Sequence, residues 1–333
     1  MSSEKKGFKI VILAAGKGTR MKSSRAKVLH DVAGRPMLAY VLDTAESAGA
    51  DEIVVVVGYQ GDAVRTAFQE RNVRFVWQRE QLGTAHAVMS AREAVAGYKG
   101  NIVILCGDVP LLRPETLRGL VDRCKAEDAS VAVLTAVVDD PEHYGRIIKD
   151  ESGNVLRIVE EMDATAEERA IREVNTGIYC VKCEVLTAAL ERVRRDNAQR
   201  EYYLTDIVEL AREAGERAIG VVAGSAEEVI GINSREDLAE ASRMKRTEIN
   251  RKWMMDGVSI IDPSSTYIEP SVDIGRDSII YPFTVLRGQT RIGEGVTIFS
   301  FCHIEDAKIP AGKLIGPFAH LRKDVSQKNR QEV

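Results

Sequence analysis

Small and cationic residues lie together directly after the first apolar run of the chain. The segment LAAGKGTRM occupies residues 13–21, and Lys27 follows it. Small residues let a polyanion approach backbone N–H groups closely, while Lys17, Arg20 and Lys27 supply cationic donors for several phosphate oxygens. This pattern indicates a nucleoside triphosphate loop, although a Gly-x-Gly turn after a strand is also common without any ligand.

The spacing excludes two familiar phosphate loops. A Walker A loop requires G-x-x-x-x-G-K-[ST], and no stretch of the sequence has that spacing. A dinucleotide-binding fingerprint requires a third glycine where Met21 stands. The loop therefore matches neither of these two phosphate-binding patterns.

A second candidate is the turn CGDVPLL at residues 106–112, which follows another apolar run. A carboxylate that leaves the carboxyl end of a buried strand, as Asp108 would, is well placed to hold Mg²⁺ beside phosphates. Aspartate in a turn near a proline is also common without function. Because the phosphate loop is expected in the same sheet, we predict that Asp108 is a metal ligand.

Continuous apolar runs of strand length recur between helix-like segments and would position these loops. Val and Ile dominate the runs, as in strands that helices cover on both faces, so the sequence predicts an α/β fold with a doubly wound, mostly parallel sheet. Ligands should then bind at the carboxyl ends of the strands. The predicted strands are residues 8–14, 53–57, 74–77, 102–106 and 130–138.

The C-terminal part of the chain has a different pattern. Residues 234–255 are predicted to form one helix that links two domains, and the sequence after it divides into hexads such as PSVDIG, with an aliphatic residue near one fixed place. Such hexads are typical of a β-solenoid. We expect a nucleotide-binding domain over 1–233, the linker helix, the solenoid over 256–323 and a disordered polar tail over 324–333.

Composition narrows the classes of partner. Lys and Arg number 46 against 50 Asp and Glu, for a net charge of −4, so no global positive field favours nucleic acid or an anionic membrane. We expect no membrane insertion, because no apolar run reaches spanning length. The five cysteines form no disulfide framework and suit a reducing cytoplasm. Cys180 and Cys183 form an isolated C-x-x-C in a strand-like stretch, where zinc is not expected.

Eight segments, in a fixed order, resemble the UDP-N-acetylglucosamine pyrophosphorylases that form the N-terminal half of the bifunctional pyrophosphorylase/glucosamine-1-phosphate N-acetyltransferases. The resemblance implies a Rossmann-like nucleotidyltransferase domain followed by a short left-handed parallel β-helix. It also implies Mg²⁺-dependent uridylyl transfer from UTP to N-acetylglucosamine 1-phosphate, for peptidoglycan precursors. The segments are LAAGKGTRM, KVLH, QREQLGTAHA, GDVPLL, YGRI, EVNTGIY, EYYLTDIVELA and GINSR.

The resemblance also assigns roles to single positions. Arg20 and Lys27 match contacts to the triphosphate and the sugar phosphate, and Asp108 and Asn233 match the Mg²⁺ ligands. Arg20, Lys27 and Asp108 would then promote catalysis by neutralising charge and aligning the reactants. The other matching substrate-binding positions are Leu13, Ala14, Ala15, Gly16, Gln78, Gly83 and Thr84 at the uracil, Cys106 and Gly107 beside Asp108, and Gly145, Glu160 and Asn175 at the N-acetylglucosamine moiety.

Three features depart from the family pattern. Ala26 stands where the family usually has proline, which we expect to loosen the loop that aims Lys27. Cys106 stands where tyrosine is frequent, and we expect a minor change in one pocket wall. The hexads cover only roughly three coils, whereas the family's acetyltransferase site lies further along a longer β-helix, so we expect no acetyltransferase activity. The family also implies a homotrimer formed through the β-helix.

Two alternative functions stay open at this point. Another sugar-1-phosphate nucleotidyltransferase would share the phosphate loop and Asp108. A non-catalytic hexad-repeat assembly subunit would use its nucleotide domain only to sense a ligand. The segments QLGTAHA, EVNTGIY and GINSR favour the UDP-N-acetylglucosamine enzyme over both.

Overall fold

The computed structural model describes residues 7–322 of the chain, which divides into two compact units. Of the described residues, the first unit comprises 7–30 together with Pro36–Ser234. The second comprises Asp31–Arg35 together with 235–322. Within the described residues, no helix is both long enough and apolar enough to cross a bilayer.

Helices separate most of the first eleven strands, as the apolar runs predict. The strands are β1 (Phe8–Ala14), β2 (Asp31–Val32), β3 (Arg35–Pro36), β4 (Ile53–Val57), β5 (Arg74–Trp77), β6 (Asn101–Cys106), β7 (Val131–Val137), β8 (Arg146–Lys149), β9 (Val155–Val159), β10 (Glu173–Lys182) and β11 (Ala218–Val222). The helices are α1 (Met37–Ala48), α2 (Gly61–Ala67), α3 (Thr84–Ser90), α4 (Arg92–Val95), α5 (Pro114–Ala126), α6 (Ala166–Arg169), α7 (Cys183–Leu190), α8 (Asp206–Glu213), α9 (Ala226–Val229) and α10 (Arg235–Met255), with 3-10 turns at Thr19–Met21 and Lys27–Leu29. The strands β2 and β3, and likewise β7, β8 and β9, follow one another without a helix.

Nine of these strands form one mixed sheet in the first unit. Its order is β11-β7-β10-β6-β1-β4-β5, and β8 pairs with both β10 and β9. The strands along the main order are parallel except β10, which is antiparallel to β6 and β7. The α/β fold class with a mostly parallel sheet is therefore confirmed. The strands β2 and β3 pair separately with each other.

Both faces of the sheet are buried, which is why the strands are continuously apolar. Along β1, Ile10 and Ile12 pack into the core on one face and Val11 packs into the core on the other. All three side chains are fully buried. Helices α1 and α5 supply residues to the first core, and α3, α7 and α8 supply residues to the second.

The expectation that both cysteines of the C-x-x-C lie in one strand is wrong. Strand β10 ends at Lys182, and Cys183 begins α7. Cys180 is buried in the core on one face of the sheet, while Cys183 is buried in the core on the other. Both cysteines are free thiols, and each is a small apolar packing group.

The second unit contains α10 and a parallel β-helix. Its short strands stack into three sheets of four, four and three strands, as the hexad repeat predicts. Aliphatic side chains at the repeating place, such as Ile280, Leu286 and Ile298, are fully buried along the axis. Ile249 and Trp253 of α10 pack into the same core. The strands are β12 (Ser259–Ile260), β13 (Tyr267–Ile268), β14 (Asp273–Ile274), β15 (Ile279–Ile280), β16 (Val285–Arg287), β17 (Arg291–Ile292), β18 (Thr297–Ile298), β19 (His303–Glu305), β20 (Lys308–Ile309), β21 (Leu314–Ile315) and β22 (His320–Arg322).

The segment Asp31–Arg35 leaves the first unit and belongs to the second. Helix α10 packs on β2, and Ala33 packs against the core of the β-helix unit. The predicted polar tail, 324–333, lies outside the described residues.

Candidate active site

A cavity of about 590 Å³ opens where β1 and β6 end, at the carboxyl edge of the sheet. The backbone N–H of Gly107 donates to the carbonyl of Leu13 at 2.9 Å, so the turns after these two strands are held side by side. The cavity contains the predicted phosphate loop, uracil wall and metal ligands. Its lining includes Leu13, Ala14, Ala15, Gly16, Lys17, Arg20, Lys27, Gln78, Gly83, Thr84, Cys106, Asp108 and Asn233.

Lys27 lies between the two predicted metal ligands. Its ammonium donates a short hydrogen bond to the Asp108 carboxylate and a second one, of 2.7 Å, to Oδ1 of Asn233. The amide nitrogen of Asn233 donates to the carbonyl of Gly231 at 3.1 Å, so its oxygen is the atom that faces Lys27. The backbone N–H of Ile232 donates to the Asp108 carbonyl at 2.9 Å, which joins the two ligand segments.

The donor set formed by Asp108 and Asn233 fits a hard divalent cation. One carboxylate and one amide oxygen already converge on a single cationic atom, the Lys27 ammonium. Mg²⁺ usually takes one or two such protein oxygens and fills its other positions with water and phosphate oxygens. Among residues 7–322, no group of three or more His, Cys, Asp or Glu side chains is arranged to hold a metal. The site therefore suits a cation that a phosphate ligand also holds.

The phosphate loop contains two glycines, Gly16 and Gly18, whose surroundings differ. Gly18 has φ +59°, and a Cβ there would lie 2.7 Å from Cβ of Lys27, so the loop passes directly over the Lys27 stem. A Cβ on Gly16 would meet no protein atom within 4 Å. The open space at Gly16 therefore leaves room for a ligand to approach the backbone.

The cationic side chains of the loop are available to a ligand. Lys17 and Arg20 line the cavity and are exposed. Within the described chain, neither side chain makes a hydrogen bond or ion pair. Among the described residues, neither positive charge is paired with a carboxylate, so both are available to pair with an anionic ligand.

Gln78 is fixed in the predicted uracil wall by its neighbours. The buried amide of Gln78 donates to the carbonyl of Gly83 at 3.1 Å and lies 3.1 Å from Nδ1 of His86. Gly83 has φ +118°, and a Cβ there would lie 2.5 Å from the Tyr202 carbonyl oxygen. This close approach brings the segments QLGTAHA and EYYLTDIVELA together. His86 is thus a direct neighbour of the Gln78 amide.

The three positions predicted for the sugar form a cluster of their own. The Asn175 N–H donates to the Gly145 carbonyl at 2.8 Å, and a Cβ on Gly145 would lie 3.5 Å from Oε2 of Glu160. These residues do not line the 590 Å³ cavity. They connect to its wall through Gly177, whose N–H donates to Oδ1 of Asn175 at 3.0 Å and whose carbonyl lies 3.5 Å from the Cys106 thiol.

Two polar residues beside this cluster, Thr205 and Asp206, were not identified from the sequence. The Thr205 hydroxyl donates to Oε1 of Glu160 at 3.2 Å. Burial, together with the nearby charge of Glu160, raises the pKa of Asp206 to about 6. Burial also raises the pKa of Glu160 itself. Both residues lie in the segment EYYLTDIVELA, and the adjacent Thr and Asp in that segment could have indicated a polar site there.

Cys106 forms part of the cavity wall, and its surroundings disfavour the thiolate. Burial and then the neighbouring Asp108 charge raise the pKa of its thiol to about 12, so the sulfur stays protonated at neutral pH. The structure places this sulfur against the Gly177 carbonyl.

Comparison with known proteins identifies the family. Residues 10–175 match the MobA-like NTP transferase domain. The bifunctional protein GlmU of Geobacter metallireducens is 53% identical over 289 residues, which cover 86% of this chain and 61% of that protein. GlmU of Caldanaerobacter subterraneus subsp. tengcongensis is 47% identical over 330 residues, which cover 94% of this chain and 72% of that protein. The chain belongs to the GlmU family.

Membership of the GlmU family confirms the resemblance seen in the sequence, and residues 10–175 match an NTP transferase domain. The chain spans about three-fifths of the length of the Geobacter relative. A crystal structure of UDP-glucose pyrophosphorylase complexed with UDP-glucose has the same fold, with a TM-score of 0.58 and 19% identity, over 72% of this chain and 98% of that one.

Proposed function

We propose that this chain transfers a uridylyl group from UTP to N-acetylglucosamine 1-phosphate, in the cytoplasm, with Mg²⁺. A phosphate oxygen of the sugar 1-phosphate forms a bond to the α-phosphorus of UTP, and the bond from that phosphorus to the β-phosphate oxygen breaks. The products are UDP-N-acetylglucosamine and diphosphate. The attacking oxygen is already ionised at neutral pH, so no side chain has to remove a proton.

The observation that carries this proposal is the convergence of Lys27, Asp108 and Asn233 at the end of a cavity whose other walls are a glycine-rich loop and a buried glutamine. Two polyanions repel each other, so a catalyst for their reaction must concentrate positive charge where they meet. A nucleotide-sensing subunit without catalysis would need the loop but not this arrangement of a lysine with two metal-type oxygens.

Each residue of the site has a role that follows from its position. Lys17 and Arg20 bind the triphosphate oxygens, and the open backbone at Gly16 lets the phosphates approach the N–H groups. Asp108 and Asn233 would hold Mg²⁺, which would supply further charge neutralisation between the phosphates. Lys27 donates to the phosphate whose charge changes while the bond to the sugar phosphate forms and the bond to diphosphate breaks.

Selection of the sugar falls to Gly145, Glu160 and Asn175. Glu160 is largely buried, and Thr205 already donates to one of its oxygens. A buried polar group that loses its substrate partner carries a desolvation cost, so the site should reject a sugar that lacks the matching group. This argument favours an N-acetylated sugar over glucose in the proposed reaction. Assembly into a homotrimer through the β-helix remains a prediction.

The test is diphosphate release from UTP with a panel of sugar 1-phosphates. We expect turnover with N-acetylglucosamine 1-phosphate and at least about tenfold lower kcat/KM with glucose 1-phosphate. Asp108→Ala should abolish turnover, while Asp122→Ala, which removes an exposed carboxylate on α5, should leave it unchanged. Equal rates with both sugars would instead favour another sugar nucleotidyltransferase, and normal turnover by Asp108→Ala would contradict the metal assignment.

A further inference from the structure

Gln60 holds the short segment that precedes Lys27. The backbone N–H of Ala26 donates to Oε1 of Gln60 at 2.9 Å, and the Gln60 amide nitrogen donates a short hydrogen bond to the Ser24 carbonyl. One side chain thus satisfies a donor and an acceptor two residues apart. Ala26 is buried and its bond to Gln60 is partly buried, so without Gln60 the Ala26 N–H would lose a partner that water can replace only in part.

Ala26 in turn fixes the start of the turn that carries Lys27. The 3-10 turn Lys27–Leu29 follows it directly, and the Leu29 N–H donates to the Ala26 carbonyl at 3.0 Å. A rotation of the Ala26 peptide would therefore rotate the Lys27 stem. That stem has little freedom to compensate, because Gly18 lies directly against it.

The backbone next to Gln60 is hydrogen-bonded to the phosphate loop. Gln60 has φ +51° and caps the N-terminus of α2. The N–H of the preceding residue, Tyr59, donates to the Ala15 carbonyl at 3.1 Å. Hydrogen bonds and the chain itself therefore connect the end of β1 through Gln60 to Ala26 and Lys27.

We propose that Gln60 is a positioning residue for Lys27: it binds the Ser24–Ala26 backbone and so aims the Lys27 ammonium at the reacting phosphates. The role of Lys27 in this statement rests on the proposed function. Gln60 does not line the cavity, so a substrate bound there would not be expected to touch it. Its loss should thus reduce the rate of the chemical step more than it weakens substrate binding.

The test compares Gln60→Ala with Gln69→Ala, which removes an exposed glutamine just after α2. We expect kcat for diphosphate release to fall about tenfold in Gln60→Ala, as for the loss of one hydrogen bond to a buried group, with KM for UTP changed less than about threefold. Gln69→Ala should match the parent. An unchanged kcat in Gln60→Ala would overturn the proposal.

Rescue by proline distinguishes positioning from a general loss of structure. Ala26 has φ −53°, close to the value that a proline ring imposes, and proline has no N–H that needs Gln60. We expect Ala26→Pro to restore kcat of Gln60→Ala to within about threefold of the parent, because it fixes the same backbone by another means. A loss that persists in the double variant would show that Gln60 acts elsewhere and would overturn the proposal.

A measurement without turnover separates this proposal from the proposed function. Amide hydrogen exchange of the peptide covering residues 22–30 should be faster in Gln60→Ala and return towards the parent rate in the double variant. If the parent transfers no uridylyl group, the proposed function fails, but the exchange rates still test the contact. Unchanged exchange in Gln60→Ala would refute the positioning role whatever the enzyme activity.

Discussion

Removing Lys27 should increase the affinity of the nucleotide-free protein for a divalent cation while it slows uridylyl transfer. The Lys27 ammonium donates to the Asp108 carboxylate and to Oδ1 of Asn233, the oxygens that would bind Mg²⁺. The Lys27 and Asp108 side chains are only 12% and 20% exposed, so water weakens their ion pair less than at an open surface. A cation that binds these oxygens must first displace the ammonium.

The expected gain in cation affinity follows from the hydrogen bonds that Lys27 donates to Asp108 and Asn233. A hydrogen bond to a charged group contributes about 1.5–3 kcal/mol, and each 1.4 kcal/mol is a factor of ten, so Lys27→Ala should bind Mn²⁺ about 10- to 100-fold more tightly than the parent. The same variant should lose about 10²- to 10³-fold in kcat, as when an enzyme loses one donor to developing charge.

The assay is titration with Mn²⁺ without nucleotide, with free Mn²⁺ measured by electron paramagnetic resonance. Lys17→Ala is the matched control, because it removes a positive charge from the same cavity without freeing either oxygen. Its affinity should change by less than about threefold, since the exposed charge is screened. If Lys27→Ala binds Mn²⁺ no better than Lys17→Ala, Lys27 does not compete for the metal oxygens and the reasoning is wrong.

Two further predictions concern stability. The pKa of Asp206 is raised from 3.8 to about 6, so the folded state binds this proton more tightly than the unfolded state, and the stabilisation present below pH 4 is lost as pH rises through about 6. Asp206→Asn should therefore raise the thermal midpoint at pH 7.5 but not at pH 3.5, and an equal change at both values would argue against the burial of this carboxyl group. In the β-helix, Ile298→Ala should reduce the free energy of unfolding of the second unit by about 2–5 kcal/mol, because Ile298 is fully buried. The control Ile261→Ala, at a side chain that is 56% exposed, should reduce it by less than about 1 kcal/mol. Denaturant titration of both variants checks this prediction, and equal losses of stability would contradict it.

The strands of the sheet could be predicted because burial on both faces leaves one signal, a continuous apolar run. The structure confirms 8–14, 53–57 and 74–77, moves the start of 102–106 by one residue, and shortens 130–138 by one residue at each end. The hexads predicted the β-helix for a similar reason, since one inward position repeats along its axis. The start of α7 at Cys183 was missed, because CVKC continues the apolar character of the strand before it.

The site was predictable as a set of residues but not as a set of contacts. The segment pattern named Lys27, Asp108 and Asn233, whereas the hydrogen bonds that join them depend on distances that arise only in the fold. The raised pKa of Asp206 likewise depends on burial beside Glu160, which no spacing in the sequence reveals. Gln60 was missed because its neighbours Ser24 and Ala26 lie more than thirty residues away in the chain.

The excursion of Asp31–Arg35 into the second unit has a consequence for how the protein can be divided. The chain passes from the first unit to the second after His30, returns at Pro36 and passes over again after Ser234. A cut after Ser234 would leave these five residues in the N-terminal fragment without the helix and the apolar core on which they pack. Because Lys27 lies only four residues before Asp31, we expect such a cut to disturb the segment that carries Lys27.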